Sequence, residues 1–239
     1  MTTKTVYNYN PDTGEYLGPE TAYESPMEPG VYLIPAHATT IAPPEADAGH
    51  VAVYAGGAWT LVEDHRGEVW YDTATQERHE IKTLGIVPET WTQIVPTDPE
   101  SIWNGAAWEV PFEVLKERKR REIWGAGDAI LAEVKRSYTQ AEIESWSKQE
   151  QGAKDLAAGE TTTEAAQFVA GIATLRGIPV DTLRDKILAN VTAYGQLCTA
   201  VSGTQQRLAD LIKAAQTADD LAAITWPETL GLGAIPWRC

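Results

Sequence analysis

Any chemistry in this 239-residue sequence would have to come from few residues. His37, His50, His65 and His79 are its only imidazoles, and none is paired at a metal-ligand spacing or set in a His-Glu-x-x-His helix. Asp64-His65-Arg66, just before Gly67, reads as a charged turn. Two cysteines, Cys198 and Cys239, are too few for a thiolate cage or a disulfide framework, and the expectation is two free thiols. No Gly-x-Ser-x-Gly elbow, Walker loop or Gly-x-Gly-x-x-Gly occurs, and Gly125-Ala126-Gly127 follows no strand that would make it a phosphate loop. Carboxylate pairs such as Glu63/Asp64 could flank a glycosidic bond, but 17 acidic side chains in residues 1–110 produce such pairs by chance. The expectation is therefore no catalytic residue, no metal and no cofactor.

The tryptophans are more informative. Trp59, Trp70, Trp91, Trp103 and Trp108 place five large amphipathic rings in strands too short to bury every face. They are the protein-binding candidates, with a sugar platform as the other binding use and compensation for a small core as the structural one. The basic run Lys116 to Arg121 invites a nucleic-acid reading, but it covers only a turn and a half of helix beside an acidic region. A solvated helix face fits it better.

These residues sit in two contrasting halves. Residues 1–110 carry 4 Lys/Arg against 17 Asp/Glu and residues 111–239 carry 15 against 17, so nearly all of the net charge of −15 lies in the first half. That balance argues against generic binding to nucleic acid or an anionic membrane. Seven of nine tyrosines and eleven of fourteen prolines also lie at or before Pro111, a proline density that rules out long helices there. The N-terminus has no apolar run of signal-peptide length, and no stretch of about 18 apolar residues occurs, so the expected location is the cytosol.

The first half reads as short antiparallel strands bounded by turn residues. Val6 to Tyr9 returns through Asn10-Pro11-Asp12-Thr13-Gly14 as Glu15 to Leu17, and Val51 to Tyr54 returns through Gly56-Gly57 as Trp59 to Val62. Val69 to Tyr71 pairs with Arg78 to Ile81, and Ile102-Trp103 with Ala107 to Val110 through Asn104-Gly105, a pair suited to a type I′ turn. Tyr54-Ala-Gly-Gly-Ala-Trp59 and Trp103-Asn-Gly-Ala-Ala-Trp108 share their aromatic spacing, which fits both a duplication and chance.

The second half is helical. Phe112 to Tyr138 carries Ile123, Ile130 and Val134 on one face and is weakened by Gly125 and Gly127. Thr139 and Glu142 form a capping-box signature for the next helix, and Thr163 to Leu175 follows, ending at Gly177-Ile178-Pro179. From there Val180, Ile187, Tyr194, Val201 and Leu208 recur every seven residues, with Leu183, Asn190, Leu197, Thr204 and Leu211 three places on. This heptad-like helix, at about 180–212, fits a self-associating coiled coil or an amphipathic helix packed in its own domain. The self-association candidates are Val180, Leu183, Ile187, Tyr194, Leu197, Val201, Leu208 and Leu211. A short helix from Ala218 to Ile224 and a loop through Trp237 complete an α+β chain: small antiparallel modules over 1–110, then a helical bundle or coiled coil over 111–239.

With these features in place, the chain resembles the tail-fibre and tail-fibre assembly proteins of tailed bacteriophages. The resemblance rests on Tyr7-Asn-Tyr-Asn-Pro-Asp-Thr-Gly-Glu-Tyr-Leu-Gly18 with Tyr32-Leu-Ile-Pro-Ala-His-Ala-Thr39, on the tryptophan hairpin Trp103 to Trp108, and on the helical stretches Tyr138 to Leu156 and Leu175 to Val191. The residues after Thr225 and the basic run Lys116 to Arg121 depart from that pattern. The resemblance implies no catalytic residues and a partner in the trimeric tail fibre or the baseplate. It implies an assembly protein working in the host cytoplasm, with retention on the virion tail left open, or a permanent structural tail component; a host-glycan-binding module is a third reading. A homo-oligomer, including a trimer, is the expected state, with neither nucleic acid nor membrane as partner.

Overall fold

The computed structural model describes residues 2–228. The expected terminal loop through Trp237 and Cys239 lies outside the described residues. The chain divides into two compact units, Met1–Val110 and Pro111–Cys239.

The first unit holds β1 (Thr3–Tyr9), β2 (Tyr16–Tyr23), β3 (Ala38–Thr39), β4 (His50–Ala55), β5 (Ala58–Glu63), β6 (Val69–Asp72), β7 (Arg78–Glu80), β8 (Trp91–Thr92), β9 (Ile102–Trp103) and β10 (Trp108–Glu109). All pairings are antiparallel, in sheets ordered β2-β1-β3, β4-β5, β7-β6-β8 and β9-β10. The four hairpins follow the turn residues of the sequence; the two-residue strands β3 and β8, which add a third strand to β1 and to β6, carry no periodicity that could announce them. Gly56 and Gly57 both adopt positive φ, 61° and 90°, as a type I′ turn demands. The type I′ turn expected at Asn104-Gly105 does not form. Trp103 pairs with Trp108, which leaves a four-residue loop, and only Gly105 has positive φ. The Asn104 side chain instead accepts from the Ala106 and Ala107 N–H groups, a competing local bond that asparagine favours.

Little of this unit is fully buried: Val6, Ala22 and Ala52 among the apolar residues, with Thr39 and Ser101. Ring pairs supply much of the remaining contact. Tyr54 and Trp59 lie 5.1 Å apart, Trp103 and Trp108 5.4 Å, and His79 stacks on Trp91 at 4.0 Å.

The second unit contains α1 (Phe112–Lys135), α2 (Gln140–Ala157), α3 (Glu164–Arg176), α4 (Val180–Ala214) and α5 (Ala218–Ala223). α1 runs unbroken through Gly125 and Gly127. Gly127 is buried, and a Cβ there would come within 2.9 Å of the Gln205 amide carbon, so the glycine admits a crossing side chain at the cost of propensity. Thr139 accepts from the Glu142 N–H at 3.3 Å to start α2, but the Glu142 carboxylate makes no return bond to Thr139, so half of the expected capping box is present. The complete box occurs at Thr217 and Asp220, at the start of α5. Gly177, at φ 66°, ends α3 in the left-handed conformation, and Pro179 then opens α4.

At 1.5 Å per residue the 35 residues of α4 span about 52 Å, and the core is strung along that length. Leu183 and Ile187 pack with Ala153, Val169 and Ala173 of α2 and α3. Leu197 and Val201 meet Val134 of α1, and Leu208 and Ile212 meet Ile123, Leu221 and Ile224. Among the described residues, no helix is long and apolar enough to cross a membrane.

Candidate binding surface

Each of Trp59, Trp70, Trp91, Trp103 and Trp108 is half-buried. Four of their indole N–H groups are engaged within the unit, that of Trp91 with the Asp72 carboxylate. Trp59 donates to the Ile41 carbonyl at 2.8 Å, Trp108 to the Ile94 carbonyl at 2.7 Å, and Trp70 to a Glu68 carboxylate oxygen at 3.0 Å. These rings therefore form a frame that fixes the backbone of the segments crossing them.

What that frame presents is aliphatic. Leu33, Ile34 and Ile41 are exposed at 58, 47 and 49 %, and Ile86, Ile94 and Val95 at 84, 48 and 56 %. Side chains this exposed, on two segments of a unit with so small a core, are the candidates for an interaction surface. Short segments without periodicity conceal such residues: Tyr32 to Thr39 entered the sequence reading as part of the family resemblance and not as exposed binding residues. Proximity to proline and a following tryptophan hairpin is the signal that could have found them.

The surrounding field is acidic but locally ordered. Arg66 reaches Asp64 at 2.7 Å and Glu15 at 3.0 Å, tying the turn after β5 to the start of β2. The Arg66 guanidinium holds the Asp64 carboxyl at about 2, and the hydrogen bonds that Arg66 donates to Asp64 and Glu15 raise it above its ordinary value. Glu63 and Glu68 bracket His65 at 3.2 Å on either ring nitrogen and raise its pKa. Asp72 is lowered by backbone N–H groups of Thr75 and Ala74. Among the described residues no group of histidine, cysteine and carboxylate side chains could hold a metal ion.

In the helical unit, Leu183, Ile187, Leu197, Val201 and Leu208 are buried, Val180 and Tyr194 are half-buried, and Leu211 is 45 % exposed. The buried members of the seam face α1, α2 and α3 of the same chain. A cleft of about 350 Å³ opens between α2 and α4, lined by Tyr138, Trp146, Asn190, Val191 and Tyr194 among others. Asn190, one of the polar residues on the seam with Thr204, thus lines a cleft. Trp146 meets the rings of Tyr138 and Tyr194 at 5.1 and 5.4 Å. Along the basic run, Lys116 pairs with Glu113, Lys119 with Glu122 and Arg120 with Glu117, each three residues away on the helix.

With this geometry in view, comparison with known proteins is direct. Residues 3–62 match the family model described as "Tail fiber assembly protein, N-terminal domain". The chain is 40 % identical over 119 residues to the tail fiber assembly protein of Escherichia phage lambda, covering 49 % of this chain and 59 % of that protein. It is 40 % identical over 119 residues to the prophage tail fiber assembly protein homolog TfaR of Escherichia coli K12, covering 60 % of it. The prophage homolog TfaE of the same strain is 34 % identical over 153 residues, spanning 58 % of this chain and 74 % of that protein. The chain thus spans about three fifths of the length of the first two relatives. No solved structure matches it.

Proposed function

The chain belongs to the family of tail fiber assembly proteins, and from that premise we propose that it binds a trimeric tail fibre during assembly through its β unit. One observation carries the reading: the segment that matches the family model bears Leu33, Ile34 and Ile41 exposed on a backbone fixed by tryptophan and threonine hydrogen bonds. A rigid apolar surface loses little entropy on docking, so it can cover fibre strands whose edges and apolar faces would otherwise aggregate. The excess of 17 carboxylates over 4 basic side chains in residues 1–110 keeps such a surface in solution before it meets its partner. Binding would take place in the host cytoplasm, with the protein staying on the finished tail. Its work is association rather than catalysis.

The test is co-expression of the tail fibre protein of the same phage with and without this chain. Soluble fibre trimers are expected only in its presence, and equal yields without it would remove the assembly reading. Retention on the tail is tested separately, by probing purified virions for the chain.

A further inference from the structure

The β unit repeats one arrangement. A three-stranded sheet with its first strand in the middle, β2-β1-β3, is followed by the hairpin β4-β5; β7-β6-β8 is likewise followed by β9-β10. The first turns agree bond for bond. Asn10 Oδ1 accepts from the Asp12 and Thr13 N–H groups at 2.8 and 3.1 Å, and Asp72 Oδ1 accepts from Ala74 and Thr75 at 2.8 and 2.9 Å. Thr13 Oγ1 accepts from Glu15, and Thr75 Oγ1 from Glu77, at 3.4 and 3.3 Å. Gly14 and Gln76 occupy the same left-handed position, φ 75° and 63°.

The next segments also superpose in sequence. Leu33-Ile34-Pro35, Thr39, Ile41 and Pro43 correspond to Ile86-Val87-Pro88, Thr92, Ile94 and Pro96, each at the same spacing. Thr39 Oγ1 accepts from the Ile41 N–H at 3.3 Å and Thr92 Oγ1 from the Ile94 N–H at 3.2 Å. The carbonyls of the same two isoleucines accept from Trp59 and Trp108, which pair across their hairpins with Tyr54 and Trp103.

One substitution shows how the second arrangement keeps the design by other means. Gly14 lets the first turn touch the hairpin backbone: Tyr54 N–H donates to its carbonyl at 2.9 Å, and a Cβ would lie 3.0 Å from the Val53 side chain. Gln76 has a side chain there, and its amide spans the gap to donate to the Ser101 carbonyl at 2.6 Å. Ala52 and Ser101, at corresponding places, are both buried.

We infer that residues 69–109 are a second copy of the module that the family match finds at 3–62, and that both copies present the same apolar recognition knuckle to the tail fibre. The knuckle is Leu33 with Ile41 in the first copy and Ile86 with Ile94 in the second. This inference rests on the fibre-binding reading above. Ile41 and Ile94 are 49 and 48 % exposed although both backbone groups of each are bonded, so their side chains are held out by a frame present twice. Two like seats on one chain suit a partner that offers the same apolar segment more than once, as identical subunits of a fibre do. Occupying one seat raises the effective concentration for the other.

The test uses the full chain and immobilised tail fibre trimers of the same phage, with Ile41→Ser, Ile94→Ser and the double variant. Both side chains are exposed, so melting temperatures should stay with the wild type. Each single change is expected to weaken binding about tenfold or more, by similar factors, and the double change by on the order of a hundredfold. Wild-type affinity in Ile94→Ser beside a loss in Ile41→Ser would overturn the second recognition module while leaving fibre binding intact. Wild-type affinity in all three variants would overturn the knuckle in both copies. Absence of binding by the unaltered chain would instead remove the fibre-binding reading itself.

Discussion

Of the eighteen fully buried apolar residues among those described, fifteen lie in the helical unit and three in the β unit. The helical unit therefore draws its stability from interdigitated aliphatic side chains along α4, a term proportional to the apolar area removed from water. The β unit draws it from many local polar bonds, each of small net value, and from paired rings. A unit built this way leaves several of its large aliphatic side chains exposed.

The contrast breaks most visibly if the helical core is hollowed. Ile212 is completely buried between α1, α4 and α5, so Ile212→Ala should cost about 2–5 kcal/mol. Denaturant titration followed by circular dichroism at 222 nm should show the loss, while the indole signals of Trp59 and Trp108 keep their native shifts. Simultaneous loss of those signals would mean that the two units unfold as one. Next in size is Gly152→Ala. A Cβ at Gly152 would lie 2.6 Å from the Ala165 carbonyl carbon and closer still to its oxygen, so α2 and α3 would have to separate. Overpacking of this kind costs about 1–3 kcal/mol, against the gain of a few tenths or more that alanine brings to an open helix position. A rise in melting temperature would show that the close helix contact is absent.

How much of this was legible in the sequence differs between the units for the same physical reason. Long helices with a continuous apolar face announce themselves, and the four hairpins announced themselves through Asn10-Pro11-Asp12-Thr13-Gly14, Gly56-Gly57, Asp72-Thr73-Ala74-Thr75 and Asn104-Gly105. α1 was legible as one helix from Phe112 on, but the reason it carries Gly127 was not, because the packing that favours the glycine comes from Gln205, 78 positions away. The exposed isoleucines were hidden because their positions follow from indole hydrogen bonds and not from periodicity. Similarity between the two tryptophan hairpins was visible, but the rest of the repeat was not. Gln76 replaces the diagnostic Gly14, and shortened loops change the separation between corresponding residues from 62 at the first turn to 53 at Ile41/Ile94 and 49 at the tryptophans. No single period survives to be detected.

Turn chemistry offers a finer comparison. Asn10→Ala and Asp72→Ala each remove an acceptor that holds two backbone N–H groups, and each should cost about 1–2 kcal/mol. Near-equal losses by thermal melting of the full chain, read from the β-unit indole signals, are expected. A cost confined to Asn10→Ala would show that the second turn does not share the structural weight of the first.

The smallest effect expected is the dependence on pH, because the groups concerned are at the surface and screened by solvent. In the β unit the folded pKa values of Asp64, Asp72 and Glu24 lie below their ordinary values, Asp64 at about 2 against 3.8. Their contributions are complete above the unfolded carboxylate range and disappear as pH falls from about 4 toward 2. His65 has the opposite sign. Glu63 and Glu68 raise its pKa above 6.5, so its contribution is complete below that value and is lost as pH rises through the folded value. In the helical unit, Glu164 is lowered by Lys148 and Asp220 chiefly by the Gln216 N–H, and among the described residues neither involves a histidine. Melting followed at each unit's own indoles should therefore show the β unit losing stability at both ends, with the alkaline loss abolished by His65→Gln. A flat alkaline limb in the unaltered chain would mean that the two carboxylates do not hold His65 as a charged partner.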